Sequence, residues 1–323
     1  MLALLIIPAL AYMAYIRLTR KRPFTGDMAE QKVVILGASS GIGRSMAVQY
    51  AARGAKLLLV ARRQGLLEQV QRECQTMHPK STCDIVVGDI TQESVLAAAT
   101  VKANSVLNGV NVLVLCAGIT SVRSFEALCS LDSEANQASS GSTVSSDSIS
   151  TTLIQQVFTT NLHAHMLAVK HFLPILKACK AQILVISSVA GVIPAPTRSI
   201  YTASKHALTG FFKALRIELA YSGVSVCIAF PGTVNTAFRE SAVDVEVSKT
   251  ESPEMTRRIM NRKQPGSMTA DSCAANIIYG ADRGDREIYL PRLYYFAHVL
   301  SMFMPEVMDY FAAKKYGYVG DGN

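Results

Sequence analysis

The chain has 323 residues, a net charge of +8 from 32 basic and 24 acidic side chains, and a mean hydropathy of +0.24. Half of its residues are hydrophobic and only 17% are charged, which excludes a disordered chain because a sequence this apolar can fill a core. The seven cysteines are scattered and form no CxxC pair, which argues against a disulfide scaffold or a zinc ribbon and favours reduced thiols in the cytosol.

The N-terminus carries 16 residues without a charged side chain, followed by the basic cluster Arg17–Arg22. Sixteen helical residues rise about 24 Å, short of a hydrocarbon core of about 30 Å, but Arg17 can snorkel and extend the span. We predict a single-pass membrane anchor over residues 1–22, with the rest of the chain in the cytosol by the positive-inside rule. The short span favours the thin bilayer of the endoplasmic reticulum. The alternatives are a cleaved signal peptide, whose basic flank would precede the apolar run, and a buried core helix.

From Lys32 onward, short apolar runs alternate with amphipathic stretches. The predicted strands are KVVILG, KLLLVA, DIVVGD and NVLVLC, and the predicted helices are GRSMAVQYAARG, QGLLEQVQREC and ESVLAAATVKANSVL. After residue 153 follow a long helix to about Cys179, the strand QILVIS, a helix from about Ile200 and the strand VSVCIAF. Strands that are apolar on both faces predict an α/β fold, a doubly wound parallel sheet of the Rossmann type, in one domain over residues 30–290. A serine-rich stretch, residues 130–150, interrupts it, either as a functional loop or, as we favour, a tolerated insertion.

A glycine-rich turn, Gly37-Ala38-Ser39-Ser40-Gly41-Ile42-Gly43, follows the first strand and opens the first helix. Gly37 permits a tight turn, Gly41 lets the backbone approach a pyrophosphate, and Gly43 lets the helix pack on the sheet. The helix N-terminus then offers free N–H groups to the phosphates. The strand–turn–helix context predicts a dinucleotide site.

The end of the second strand indicates which dinucleotide is bound. It reads Val60-Ala61-Arg62-Arg63 and lacks the acidic residue with which NAD-specific sites hold the ribose hydroxyls. Arg62 can grip a 2′-phosphate in a bidentate way, and Arg44 and the Ser39 hydroxyl can add contacts. We therefore predict NADP(H) as the cofactor. Arg63 is interpreted more plausibly as a solvated residue at the start of a helix.

Two further motifs carry a family resemblance. Tyr201-Thr202-Ala203-Ser204-Lys205 opens a helix, and Ser188 precedes Tyr201 by thirteen residues. Together with the glycine turn they resemble the short-chain dehydrogenase/reductase family from about Lys32 to Leu290, and within it the membrane-anchored hydroxysteroid dehydrogenases and ketosphinganine reductases. The other matching positions are Asp89, Ile90, Ala117, Gly118, Asn161 and Pro231 to Thr236. Two departures, Leu36 and Leu115-Cys116, imply altered local packing rather than lost chemistry.

The predicted catalytic residues are Asn161, Ser188, Tyr201 and Lys205. Tyr201 and Lys205 are i,i+4 neighbours, so an ammonium favours the phenolate, and Tyr201 can exchange a proton with a substrate oxygen. The Ser188 hydroxyl can hold that oxygen, with Ser187 as its rival. The resemblance implies that Asn161 holds a relay water, that Asp89 contacts the adenine, and that Val234 and Thr236 contact the carboxamide. The predicted cofactor set is Gly37, Ser39, Ser40, Gly41, Ile42, Gly43, Arg44, Arg62, Asp89, Ile90, Ala117, Gly118, Tyr201, Lys205, Pro231, Gly232, Val234 and Thr236, with no metal ion.

The C-terminal segment, residues 291–323, is rich in Tyr, Phe and Met. His298, Ser301, Glu306 and Asp309 interrupt it, so we predict a membrane-interface surface or a substrate lid rather than a spanning helix. The alternative is a helix packed on the core or on a second subunit.

The predicted function is hydride transfer between NADP(H) and the carbonyl or alcohol of a lipid, sterol or sphingoid-like substrate at a membrane. The alternative is a non-catalytic NADPH-binding membrane scaffold or sensor. Membrane lipid and a small hydrophobic substrate are the predicted partners, and the resemblance implies a homodimer through the long helices near residues 153–179 and 200–221. Nucleic acid is excluded because no basic stripe with interleaved aromatic residues appears.

Overall fold

The computed structural model describes residues 27–79, 82–130, 149–238, 242–244 and 267–316. The strands are β1 (Lys32–Leu36), β2 (Lys56–Ala61), β3 (Cys83–Val87), β4 (Val112–Leu115), β5 (Gln182–Ile186), β6 (Ser225–Pro231), β7 (Val234–Asn235), β8 (Met268–Thr269) and β9 (Glu287–Leu290). The helices are α1 (Gly41–Ala52), α2 (Gln64–Met77), α3 (Glu93–Lys102), α4 (Ile149–Phe158), α5 (Ala164–Ala178), α6 (Ser199–Glu218), α7 (Ala270–Asp282), α8 (Leu293–Phe303) and α9 (Pro305–Tyr316).

The central sheet has seven strands in the order β3-β2-β1-β4-β5-β6-β9, and every adjacent pair is parallel. Side chains alternate between its faces, as a pleated strand requires. Val34 and Leu36 belong to the core on one face, which includes Phe172 of α5. Val33 belongs to the core on the other face, with residues of α1 and α7. Because both faces are covered by helices, the strands are apolar throughout, and the predicted doubly wound parallel sheet is confirmed.

The position of the cleft follows from the strand order. β1 pairs with β2 on one side and with β4 on the other, so the connections that leave the carboxyl ends of β1 and β4 run in opposite directions. In open parallel sheets, this switch point leaves a crevice in which ligands bind. The glycine turn follows β1, and Ala117-Gly118 follow β4, so both predicted motifs lie at this crevice.

Several elements differ from the sequence prediction. The long helix predicted after residue 153 is two helices, α4 and α5, separated by a π-helical turn at Thr159–His163 that contains Asn161. The helix α7 and the strand β9 were not predicted individually, although the resemblance reached Leu290. The C-terminal segment forms α8 and α9, which contact each other; α8 also contacts β9. We call these two helices the C-terminal hairpin.

The predicted anchor over residues 1–22 lies outside the described residues, as does nearly all of the serine-rich stretch. Within the described parts of the chain, no helix is both long enough and apolar enough to cross a membrane.

Candidate active site

A cavity of about 520 Å³ opens at the crevice and is lined by most of the predicted site residues. The glycine turn, the ends of β2 and β3 and the segment after β4 form what we call the cofactor end. The substrate end is formed by Ile193, Pro194, Ala195, Arg198 and Phe238 and by the inner face of the C-terminal hairpin. The predicted residues that line the cavity are Gly37, Ser39, Ser40, Gly41, Ile42, Arg62, Asp89, Ile90, Ala117, Gly118, Ser188, Tyr201, Lys205, Pro231, Gly232, Val234 and Thr236.

The glycine turn has the geometry that a dinucleotide needs. Gly37 and Gly41 have φ angles of +93° and +56°, which side chains rarely tolerate. A Cβ on Gly37 would lie 2.5 Å from the backbone nitrogen of Ala117, and one on Gly43 would lie 2.2 Å from the Gly37 carbonyl oxygen. Ser40, the N-cap residue of α1, makes no side-chain cap bond, so the first N–H groups of the helix are not capped by that side chain. The turn therefore fits a bound pyrophosphate.

The contacts of the three arginines near the glycine turn differ from the prediction. Arg63 reaches over the glycine turn and donates hydrogen bonds to Ser39 Oγ at 3.0 Å and Ser40 Oγ at 2.6 Å. Arg62 lies 3.4 Å from Asp89 Oδ2 and is mostly exposed. Arg44 pairs with Glu73 on α2 at 2.8 Å and is not among the lining residues. Arg63 was not in the predicted cofactor set, because a residue at a helix start is normally solvated; its contact with the turn is visible only in three dimensions.

Ser188, Tyr201 and Lys205 lie together between the two ends of the cavity. The Ser188 hydroxyl acts on the Tyr201 phenol and lowers its pKa, and Lys205 Nζ lies 5.9 Å from the centre of the Tyr201 ring. Lys205 Nζ also donates to the Ile186 carbonyl at 3.1 Å. Of the two rival serines, Ser187 is buried and bonded to Thr209 Oγ1 at 3.0 Å, while the Ser188 hydroxyl is the one that meets Tyr201.

Burial dominates the electrostatics of this trio. It raises the pKa of Tyr201 above its ordinary value, although the hydrogen bond from Ser188 and the positive charge of Arg198 lower it. Burial also lowers the pKa of Lys205 to about 8. The i,i+4 spacing of Tyr201 and Lys205 predicted a phenol shifted toward phenolate, but spacing does not include the desolvation of a side chain that is only 6% exposed. The phenol is therefore held in its protonated form, which can donate to a substrate oxygen.

Asn161 lies behind the cavity wall rather than in it. Its side chain is fully buried, accepts from Ile119 N at 2.8 Å, and donates to the Ile119 carbonyl at 2.9 Å and to Ser204 Oγ at 3.0 Å. These bonds join the π-helical turn to the segment after β4 and to α6. The structure thus gives Asn161 a bracing position beside the trio, and the water relay implied by the resemblance stays a prediction.

The cavity also includes residues that the sequence analysis did not select. Arg198 lies three residues before Tyr201, and Phe238 packs edge-on against the Tyr201 ring with 6.1 Å between centroids. From the C-terminal hairpin come Tyr294, Ala297, Met308, Phe311, Ala312, Lys315 and Tyr316. Gly232 permits this close packing, because a Cβ there would lie 2.4 Å from Tyr294 Cε2. The sequence signals for that contact were the glycine in the Pro231–Thr236 motif and the aromatic C-terminal segment, for which a substrate lid was one of the predictions.

Comparisons with known proteins agree with this geometry. Residues 31–246 match the family model for short chain dehydrogenase. The chain is 30% identical over 297 residues to a hydroxysteroid 11-beta-dehydrogenase 1-like protein of Xenopus tropicalis, covering 90% of this chain and 89% of that protein. It is 28% identical to an 11-beta-hydroxysteroid dehydrogenase of Pinus massoniana, covering 94% of this chain and 79% of that one.

Solved structures share the fold. A short chain dehydrogenase/reductase from Burkholderia phymatum in complex with NAD superposes with a TM-score of 0.71 at 21% identity, covering 88% of this chain and 96% of that one. An alcohol dehydrogenase from the archaeon Thermococcus sibiricus, complexed with 5-hydroxy-NADP, gives 0.62 at 22% identity, with 82% and 97% covered. The solved structures show the shared fold, and the family match together with the 30% identical relative establishes that the chain is an oxidoreductase that belongs to the short-chain dehydrogenase family.

Proposed function

We propose that this protein is an NADP(H)-dependent reductase or dehydrogenase that acts on the carbonyl or alcohol group of a hydrophobic substrate at a membrane. The observation that carries the proposal is the cavity, in which Ser188, Tyr201 and Lys205 lie between a dinucleotide-binding turn and an apolar wall. The relatives named as hydroxysteroid dehydrogenases support a sterol-like or other lipid substrate.

Two arginines support NADP(H) rather than NAD(H). The end of β2 has no acidic residue to hold the ribose hydroxyls, and both Arg62 and Arg63 line the cofactor end. Arg63, already bonded to the serine hydroxyls of the turn, is well placed to receive a phosphate there, because a guanidinium recognises phosphate in a bidentate way. Arg62 forms an ion pair with Asp89 and adds positive charge at the rim of the cofactor end.

The chain's own residues divide the work as follows. Gly37, Gly41 and the N-terminus of α1 hold the pyrophosphate, and bound nicotinamide supplies or accepts the hydride. Ser188 binds the substrate oxygen, and Tyr201 donates its phenolic proton to that oxygen during reduction. Lys205 holds positive charge beside Tyr201 and stabilises the phenolate that remains after proton transfer.

The C-terminal hairpin supports a membrane-facing, hydrophobic substrate. Its inner face lines the substrate end, while its outer face exposes large apolar side chains, with Leu293 72% and Phe303 79% exposed. Such a cluster of exposed apolar side chains is typical of interaction surfaces. The proposal includes the N-terminal anchor in the endoplasmic reticulum membrane, with the catalytic domain facing the cytosol.

The test uses the full-length protein purified in detergent. Because the chain has no tryptophan, the fluorescence enhancement of bound NADPH and NADH reports binding directly. We expect tight NADPH binding, weak NADH binding, and oxidation of NADPH when a steroid ketone or a long-chain aliphatic ketone is added. Equal binding of both dinucleotides would refute the NADP(H) assignment. Tight NADPH binding without turnover of any hydrophobic carbonyl or alcohol would favour the scaffold alternative.

A further inference from the structure

Arg198 is a cationic side chain in the substrate end of the cavity that the catalytic scheme does not use. It lies at the N-cap position of α6, three residues before Tyr201, and it lines the cavity. Its Nε atom is buried without a hydrogen-bond partner, and among the described residues no carboxylate forms an ion pair with its guanidinium. A buried guanidinium donor without an acceptor is costly, so the site is short of an oxygen acceptor.

The backbone around Arg198 is held in an uncommon conformation. Thr197, the residue before it, has a φ of +64°, in the left-handed region that a β-branched residue rarely adopts. Such conformations persist where the surrounding structure enforces them, and they concentrate at ligand sites. The left-handed residue turns the chain into α6 at the cavity wall.

The charge of the cavity wall is uneven. The acidic side chain among the lining residues is Asp89, which lies at the cofactor end and faces Arg62. The substrate end carries Arg198 and Lys315, together with the helix N-terminus of α6, whose dipole also favours negative charge. The remaining wall there is apolar or aromatic, as with Ile193, Phe238 and Phe311. Such a combination of surfaces suits a ligand with an apolar body and one anionic group.

We propose that Arg198 binds an anionic group of the substrate, a carboxylate or a phosphate, so that the preferred substrate is an amphipathic carbonyl compound rather than a wholly neutral lipid. This inference rests on the proposed oxidoreductase function and specifies its substrate class. Arg198 lies at the N-cap position of the helix that carries Tyr201 and lines the same cavity, so an anion bound to it is held near the proton donor.

The experiment measures binding to the full-length protein saturated with NADP⁺, so that the phosphate sites at the cofactor end are filled. The probes are octyl phosphate, octanoate and neutral octan-1-ol, which share one chain length and differ in the head group. Isothermal titration is expected to show at least one of the two anions binding roughly 10- to 100-fold more tightly than the alcohol, the range that a charge-assisted hydrogen bond supplies. The ratio between octyl phosphate and octanoate shows which anion the site prefers.

The Arg198→Met variant removes the charge and keeps an unbranched side chain. We expect it to lose the preference for the anions while its affinity for octan-1-ol stays within about threefold. The matched control is Arg283→Met, an exposed arginine that bonds to Tyr279 and does not line the cavity; it retains the preference. A thermal melt and NADPH binding show that each variant is folded.

Two outcomes overturn the inference: equal affinity of the wild type for anions and alcohol, or a preference that survives in Arg198→Met and is lost in Lys315→Met. Neither outcome bears on the proposed oxidoreductase function, which fails if the wild type neither reduces a hydrophobic carbonyl with NADPH nor oxidises a hydrophobic alcohol with NADP⁺.

Discussion

At the cofactor end of the cavity the walls are the backbone of the central sheet and its buried helices, whereas at the substrate end one wall is a hairpin of surface helices. The strand β1 that carries the glycine turn is fully buried from Val33 to Leu36. In contrast, neither α8 nor α9 contains a buried residue. The cofactor end is thus formed from elements that cannot move without unfolding the sheet. The substrate end, in contrast, is bounded by the C-terminal hairpin, whose helices pack more loosely.

The largest expected effect lies where the two ends meet. Tyr201→Phe removes the phenolic proton and leaves the ring packed against Phe238. We expect turnover to fall by about 10² to 10⁴-fold, the usual contribution of a general acid, while NADPH affinity changes little. Steady-state rates and nicotinamide fluorescence measure the two quantities. Full activity in this variant would remove Tyr201 from the mechanism.

The rigidity of the cofactor end is tested by adding one methyl group. Gly37→Ala forces a Cβ to within 2.5 Å of the Ala117 backbone nitrogen at a φ of +93°. We expect a loss of about 2 kcal/mol or more in the free energy of unfolding, and weakened NADPH binding. Gly210→Ala is the matched control, because a Cβ there, inside α6, meets nothing within 4 Å beyond its chain neighbours and the nearby backbone of its own helix. That variant is expected to be more stable by about 0.5 to 1 kcal/mol in thermal or urea unfolding.

The ratio of NADPH to NADH affinity tests which arginine near the glycine turn binds the 2′-phosphate. Arg63→Leu is expected to weaken NADPH binding by roughly 10- to 100-fold with little change for NADH, because only NADPH carries the 2′-phosphate. Arg44→Leu serves as the control: its partner is Glu73, and we expect less than a threefold change. An equal loss of NADPH and NADH affinity in Arg63→Leu would mean that this side chain only supports the turn.

The smallest expected effect concerns the outer face of the C-terminal hairpin. Phe303→Glu places a charge on an exposed apolar position and is expected to raise the KM for a membrane-resident ketone by a few fold. The KM for a water-soluble ketone stays unchanged. Val101→Glu, an exposed position on α3, is the control. If both ketones respond alike in Phe303→Glu, the outer face has no part in reaching substrate from the bilayer.

The local signals in the sequence were sufficient for much of this molecule. Apolar runs of four to seven residues predicted β1 to β6, because strands covered on both faces must be apolar. The i,i+4 spacing of Tyr201 and Lys205 placed them on one helix face. The glycine spacing located the turn, and the close approaches at Gly37 and Gly43 within it explain why no other residue fits at those two positions.

What the sequence could not supply were relations between distant segments. α7 docks on α1 through Ser45 Oγ and Asp271 Oδ1 at 2.6 Å, although these residues are 226 positions apart. Two more relations depend on distant segments: the contacts of Arg63 with the serines of the turn, and the place of Arg198 in the cavity wall. The pKa of Tyr201 also belongs here, because desolvation depends on everything that packs around the ring.

Spacing within short segments was enough to predict the family, the parallel sheet, the dinucleotide turn and the candidate residues for proton transfer. The folded structure was needed to show that Arg63 covers the turn and that the C-terminal hairpin forms part of the cavity wall. Those outcomes depend on how segments far apart in the chain pack together, because packing requires side chains from two or more segments to fit each other.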